Sequence, residues 1–186
     1  MTDDRRQPRL QDAIARNRGK QLLPLWIREF RRITGHSIEA TDFVGVAETN
    51  RLRDSFYERV KAETGCCIRE WPAREYIDVL GLLTAMSEST SVEVVLFSGA
   101  DAFIGGLRVQ SALVLAHAHD LRSLVEQDPS IASEDMGNGL CLEFNYHSDS
   151  GEYSREGFYR VLSWGVFCDT PGLRKVGQRS ANDDLQ

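Results

Sequence analysis

The sequence lacks any long hydrophobic run. No apolar stretch approaches the roughly 18 residues that suggest a membrane-spanning helix. The first eight residues are polar, so they contain no hydrophobic leader for secretion. These two absences predict a cytoplasmic protein with no membrane partner.

The sequence also lacks the signatures of nucleotide binding. The glycines between residues 99 and 106 are not followed by Gly-Lys-Ser or Gly-Lys-Thr, and no dinucleotide fingerprint follows a strand. We therefore predict no cofactor. Arg28, Arg31 and Arg32 could contact a nucleic acid, but the chain carries a net charge of −6, which repels phosphates. We predict no nucleic-acid partner.

Cysteine spacing typical of a disulfide or zinc framework is absent. The chain has four cysteines, Cys66, Cys67, Cys141 and Cys168, which we interpret as reduced thiols. His117 and His119 are the most obvious metal candidates, but on a helix they point about 200° apart. Two remaining candidates, His117 and Asp120, cannot hold an ion by themselves. The sequence predicts no metal site.

No nucleophile has a recognisable base beside it. Cys141 and His147 share one face of a predicted strand, but they are six residues, or about 20 Å, apart. We predict no catalytic residue and favour a noncatalytic protein. The alternative is a small cytoplasmic enzyme that uses a carboxylate or a thiol in a cleft beside the hairpin described next.

Residues 139–167 predict a long β-hairpin. Apolar Leu140, Leu142, Phe144 and Tyr146 alternate with polar residues, which is the period of two of a strand with one buried face. A two-residue loop at Ser150-Gly151 would close the hairpin. In that register Leu140 lies opposite Val161, Leu142 opposite Tyr159, and Phe144 opposite Gly157. One face of the hairpin is then core and the other is mixed.

The remaining chain predicts mainly helices. Apolar residues recur with helical period in segments 10–18, 22–34, 50–65, 72–86 and 112–127. Residues 91–109 supply a buried strand and a short return strand. We therefore expect an α+β fold with N-terminal helices and an antiparallel sheet of three to five strands that includes the hairpin. Residues 1–186 form a single domain, with a frayed N-terminus (about 1–8) and a disordered tail (about 175–186).

Acidic charge is concentrated between Asp120 and Glu156, where nine carboxylates face only two arginines. Such a segment attracts basic partners, or it is simply a solvated surface. We favour an acidic surface that binds a basic protein. The carboxylates expected to supply the negative electrostatic potential of this surface are Glu134, Asp135, Glu143, Asp149, Glu152 and Glu156. The aromatic residues expected to anchor the interface are Tyr153, Phe158 and Trp164.

One specific form of this hypothesis is an immunity-type inhibitor, which would cover the cationic active site of a nuclease-like toxin. A further alternative is a structural or scaffold protein that forms a homodimer through an exposed edge of the hairpin. The sequence therefore leaves both a monomer and a homodimer open.

Overall fold

The computed structural model of this chain describes residues 6–148 and 150–175. The helices there are α1 (Arg6–Thr34), α2 (Val46–Ala62), α3 (Tyr76–Ser89), α4 (Asp101–Ile104), α5 (Ser111–Ala116) and α6 (Ala118–Val125). The strands are β1 (Cys67–Pro72), β2 (Glu93–Phe97), β3 (Leu107–Gln110), β4 (Ser130–Ala132), β5 (Gly139–His147), β6 (Tyr153–Trp164) and β7 (Arg174–Lys175). Short 3₁₀ turns span Ala40–Asp42, Ala73–Glu75 and Gly165–Asp169.

All strands join one sheet in the order β3-β2-β4-β5-β6-β1-β7, and every described pairing is antiparallel. The mixed helix-and-sheet class, the antiparallel sheet and the N-terminal helices are confirmed. The strand count is wrong, because the sheet has seven strands, the last only two residues long. The sequence missed β1, whose Trp71-Pro72 pair resembles a helix start, and β4, which is too short to show a period.

The sheet is covered on both faces. Helices α1, α3, α5 and α6 pack on the first face, where Phe30, Leu83 and Leu121 meet the strand residues Leu140 and Val161. Among the described helices, only α2 contributes to the core on the second face, and it covers part of that face. Its Leu52, Phe56 and Val60 pack against a separate cluster of strand residues, Val95, Phe97, Cys141, Leu162 and Trp164.

The second face corrects the expectation that only one face of the hairpin is core. Cys141 is 2% exposed, and Leu162 and Trp164 are fully buried, although all three alternate with residues of the first core. The ring of Phe56 lies 5.5 Å from that of Trp164, centroid to centroid. Neighbouring residues of β5 and β6 are both apolar because each of the two faces of the sheet is covered by helices.

Two helical predictions also change. Segments 10–18 and 22–34 form one continuous helix, α1, which contains Pro24. Segment 112–127 is divided into α5 and α6 by His117, whose φ of −112° and ψ of 18° leave the helical region. Residues 6–8 of the expected frayed N-terminus belong to α1. Residues 1–5 and 176–186 lie outside the described residues, so the predictions made for them stay predictions.

Among the helices that the structure describes, none combines the length and the apolar character needed to cross a membrane.

The hairpin forms with a register two residues away from the predicted one. Leu142 lies opposite Val161, and Phe144 lies opposite Tyr159. The turn places His147 opposite Tyr153, one position from the predicted pairing. Between that pair and Asn145–Phe158, β6 contains three extra residues, which move the register the other way and leave a net shift of two. A shift of two keeps each side chain on its face, since strand side chains alternate with period two.

A buried ion pair joins α2 to the short helix α4. Asp101 is completely buried and accepts hydrogen bonds from the backbone N–H and the hydroxyl of Ser98, at 3.0 and 2.8 Å. The guanidinium of Arg53 lies 2.8 Å from its other carboxylate oxygen. Burial raises the pKa of Asp101, and the hydrogen bonds from Ser98 and the charge of Arg53 oppose that shift.

Two glycines in helix interiors should respond oppositely to alanine. A β-carbon at Gly19 of α1 would collide with the carbonyl oxygen of Phe103, whereas one at Gly81 of α3 would meet nothing within 4 Å. We expect Gly81→Ala to stabilise the protein by about 0.5–1 kcal/mol through helix propensity. Gly19→Ala should destabilise it by about 1–3 kcal/mol, because the two helices must separate. Urea denaturation of both variants checks this, and equal stabilisation would contradict the packing of α1 against α4.

Removing Arg53 from its ion pair with Asp101 should destabilise the protein by an amount that depends on pH. Arg53→Met leaves Asp101 buried without its cation, which should cost about 3–5 kcal/mol at pH 7. The folded-state pKa of Asp101 is already raised, and loss of the cation raises it further. The folded variant therefore takes up the proton first, and the deficit should shrink as the pH falls toward about 4. Urea titrations of both proteins at several pH values test this, and a deficit independent of pH would contradict it.

Candidate functional site

The outer half of the β5–β6 hairpin extends beyond its neighbouring strands. Strand β4 pairs with β5 only over Gly139–Cys141, and β1 pairs with β6 only over Phe158–Ser163. Beyond those positions, the described residues of β5 and β6 pair only with each other. Residues 144–147 are consequently exposed at every position, on both faces of the ribbon. The hairpin therefore offers a surface that the helical layers leave uncovered.

Three hydrogen bonds hold the end of this ribbon. The backbone N–H of Ser148 donates to the carbonyl of Glu152 at 2.9 Å, and the N–H of Gly151 donates to the carbonyl of Ser148 at 2.9 Å. The N–H of Glu152 also donates to the hydroxyl of Ser148 at 3.0 Å. Further down β6, Gly157 has a φ of +81°, and a β-carbon there would strike the ring of Phe144. Glycine thus allows this aromatic ring to lie across β6.

A continuous set of ring contacts runs from the hairpin onto the helical layer. We call it the aromatic strip, and it consists of Tyr146, Phe144, Tyr159, Tyr76 and His119. Successive ring centroids are 5.4, 5.1, 4.6 and 5.7 Å apart. Exposure rises toward the hairpin end, from 9% at Tyr159 to 37% at Phe144 and 53% at Tyr146. The strip is anchored in the core at its middle, at Tyr159, and both of its end residues, Tyr146 and His119, are exposed.

A cation already sits on the inner part of the strip. The guanidinium carbon of Arg122 lies 5.2 Å from the ring centroid of Tyr76 and 5.7 Å from that of Tyr159. Its Nε lies 2.7 Å from a carboxylate oxygen of Asp128. Burial raises the pKa of the Asp128 carboxyl, and the charge of Arg122 opposes that shift. The tyrosine faces of the strip therefore accept a guanidinium within the protein itself.

The acidic residues expected to form one surface fall into two groups. Glu134 and Asp135 lie in the loop before β5, whereas Glu152 and Glu156 lie at and beyond the turn that follows it. The nine residues of β5 separate the two groups by about 30 Å, at roughly 3.3 Å per residue. The two groups therefore lie toward opposite ends of β5. Asp149 lies outside the described residues.

The acids near the sheet are engaged by other groups. Glu134 forms an ion pair with Arg108, and Glu143 lies 3.2 Å from Arg160, which also pairs with Glu63 at the end of α2. Asp135 accepts hydrogen bonds from the hydroxyl of Ser133 and the N–H of Gly137, at 2.6 and 2.8 Å, and these bonds lower its pKa. These three carboxylates have structural roles in addition to any effect on the surface field.

Two of the three expected anchors are core residues. Trp164 is fully buried, and its indole N–H donates to the carbonyl of Met136 at 3.0 Å. Phe158 is also buried, opposite Pro72 of β1. Trp164 is buried because α2 covers the second face, and Phe158 is buried where β6 pairs with β1. Tyr153 is 59% exposed, and its ring lies 5.2 Å from that of His147.

Sequence reasoning missed the exposed rings of the strip. Phe144 was expected in the core because it continues the alternation of Leu140 and Leu142. Its exposure depends on where β4 ends, and that end carries no signal in the sequence. Tyr76 lies at the start of α3, with its ring 4.6 Å from that of Tyr159, centroid to centroid.

Two of the buried thiols, Cys66 and Cys141, are poorly suited to nucleophilic chemistry. All four cysteines are free, and Cys66, Cys67 and Cys141 are buried. Burial raises the pKa of the Cys141 thiol to about 12, and burial also raises the pKa of Cys66. A buried thiol with a raised pKa is protonated at neutral pH and is a weak nucleophile. Within the described part of the chain, no three His, Cys, Asp or Glu residues are grouped so that they could hold a metal ion.

No protein-family model, no curated protein and no solved structure matches this chain. Its function must therefore be inferred from the geometry of the hairpin and the strip.

The outer end and the buried middle of the aromatic strip should differ in how much they contribute to stability. Tyr146→Ala removes a half-exposed ring and should change the free energy of unfolding by about 0.5 kcal/mol or less. Tyr159→Ala removes a buried ring that contacts Tyr76 and Phe144, and it should cost about 3 kcal/mol or more. Urea denaturation measures both. If Tyr146→Ala were equally costly, the outer ring would belong to the core and would not be free for a partner.

Proposed function

We propose that this protein is a noncatalytic protein-binding domain and that it holds a basic protein partner with the outer hairpin and the aromatic strip. The observation that carries the proposal is the projection of residues 144–147 beyond the neighbouring strands, with Phe144 and Tyr146 exposed there. Four free cysteines favour a reducing, cytoplasmic setting for this activity.

The exposed rings are suited to anchor an interface. Tyrosine and phenylalanine bury a large area on binding and lose little conformational entropy, so they supply much of the energy of protein interfaces. The ring of Phe144 contacts that of Tyr159, and it lies against Gly157, where a β-carbon would collide with it. A ring that is already ordered loses less entropy on binding than a mobile one. The strip thus presents a preorganised anchor.

The charge of the hairpin selects a basic partner. Residues 143–156 contain four acids and one arginine, a net charge of −3 with neutral histidine. Carboxylates of one sign raise the rate at which a cationic protein is encountered. The rings add to this preference, because Lys and Arg side chains bind the faces of aromatic rings. Arg122 on Tyr76 and Tyr159 is an internal example of the contact proposed for the partner.

A specific form of the proposal is an immunity-type inhibitor of a basic, nuclease-like toxin. The active site of a nuclease is cationic because it binds phosphates, so an acidic hairpin with aromatic anchors is complementary to it. In this form the partner is a nuclease, and the protein inhibits it at one-to-one stoichiometry. The competing hypotheses are a small enzyme that uses a carboxylate or a thiol in a cleft beside the hairpin, and a homodimeric scaffold.

Charge reversal at the two ends of β5 tests the proposal. The double variant Glu152→Lys/Glu156→Lys alters the hairpin end, and Glu134→Lys/Asp135→Lys alters the opposite end with the same change of net charge. We expect the hairpin variant to weaken binding to the partner about tenfold or more. The control variant should have a much smaller effect, because it lies about 30 Å away, beyond the Debye length.

The partner for this test is captured from an extract of the native cells at about 50 and 300 mM salt and is identified by mass spectrometry. Binding of the purified partner to each variant is then measured by calorimetry. Equal loss of affinity in both double variants would show that binding depends on the total charge of the protein and not on the hairpin surface. Capture of no basic protein, or of a partner that binds the hairpin variant normally, would contradict the proposed surface.

A further inference from the structure

The outer part of β5 is an open strand edge. Strand β4 ends its pairing at Cys141, and β5 continues to His147. Among the described residues, no backbone hydrogen bond joins Phe144–His147 to any strand but β6. These four residues are also exposed, so neither a helix nor a described loop covers this edge. Their outward backbone groups are available to another chain.

The other edges of the sheet are short or irregular. Strand β3 has four residues, and Phe43 bridges to its Leu107. Strand β7 has only two residues. The outer part of β6 contains the irregularity near Gly157, and such bulges protect an edge by bending it away from a partner. The pairing of β5 with β6 shifts between Asn145 and His147, but the extra residues of this irregularity lie in β6 and not in β5.

Outer β5 carries no side chain of the kinds that prevent pairing. Natural sheets protect their edges with proline, lysine, bulges or an inward-pointing charge. Residues 144–147 read Phe-Asn-Tyr-His and contain neither proline nor lysine. The charge next to them, Glu143, is paired with Arg160. This edge is exposed, contains no inserted residue of its own and carries no lysine or proline, which suits a strand that accepts another strand.

We propose that outer β5 binds its partner by strand addition, so that an extended basic segment of the partner pairs with Phe144–His147 as an additional strand. This inference rests on the proposed function and specifies its mode of recognition. Phe144 and Tyr146 lie on the same face of β5, as residues i and i+2. Alternate Lys or Arg side chains of the added strand lie over these two rings, while its backbone pairs with the open edge.

The charges favour a basic segment over a second copy of this chain. Two copies paired through this edge would bring two hairpins together, each with a net charge of −3 over residues 143–156. Like charges on neighbouring strands are unfavourable. A segment with alternating basic residues instead gains from the carboxylates and from the ring faces.

Synthetic peptides test the mode of binding on the unaltered protein. The first probe is a fluorescent peptide of about eight residues in which arginine and valine alternate. Two further probes have the same side chains, but the backbone nitrogens are methylated at either the odd or the even residues. Each methylated peptide loses the hydrogen-bond donors of one edge and keeps its charge and its side chains. Affinity is measured by fluorescence anisotropy, and hydrogen–deuterium exchange reports the amides of β5.

Strand addition predicts that one methylated peptide binds about tenfold more weakly or worse, while the other binds nearly as well as the parent. The parent peptide should slow exchange at residues 143–147 and leave the loop before β5 unchanged. Equal affinity of all three peptides would overturn strand addition and leave the basic-partner proposal standing. Absence of binding by any peptide would also overturn strand addition, and the capture experiment would then decide the proposed function separately. Self-association that protects this edge without peptide would assign it to a second copy and overturn the inference.

Discussion

The antiparallel pairing of β6 with β5 and β1 is the interaction on which the rest of the structure depends. Strand β6 has twelve residues, and it contributes to both cores: Val161 points into the first and Leu162 into the second. A slip of one residue would exchange these sets and place each apolar side chain against the wrong helical layer. Because both faces are covered, the register is constrained from two sides. The helices can pack only where this alternation places apolar residues.

The difference in strand lengths creates the candidate site. Strands β5 and β6 are nine and twelve residues long, whereas β4 has three and β1 has six. The long pair therefore leaves the sheet as a ribbon that its neighbours do not support. The same alternation that buries Leu142 in the first core exposes Phe144 and Tyr146 once the helices end. Core packing and surface recognition thus use one continuous pattern of side chains.

Three arginines fasten separate parts of the fold, and each belongs to a different packing contact. Arg53 joins α2 to α4 through Asp101, Arg160 joins β6 to Glu63 at the end of α2, and Arg122 joins α6 to the aromatic strip. Partly buried ion pairs contribute little net stability compared with apolar contacts, but they disfavour alternative arrangements, because an unpaired buried charge is costly. Their role is to position α2 and the strip relative to the sheet.

The sequence by itself determined the class of the fold, because helical and strand periods are local properties of the chain. It predicted the hairpin, the apolar face that contains Leu140, Leu142 and Val161, and the acidic character of residues 120–156. It could not determine the register, because that depends on the length of the turn and the irregularity at Gly157. Nor could it show that Trp164 is buried, since its burial requires α2, more than a hundred residues away in the chain.

Only the tertiary structure decided which residues could form one surface. Residues 134 and 152 belong to the same acidic segment, yet an extended strand places them at opposite ends of β5, because each residue advances the chain by about 3.3 Å. Conversely, Tyr76, Arg122 and Tyr159 come from three distant segments and meet in one strip, because α3, α6 and β6 pack together. Local pattern reveals the period of each element, but the ends of neighbouring strands and helices determine which side chains remain exposed.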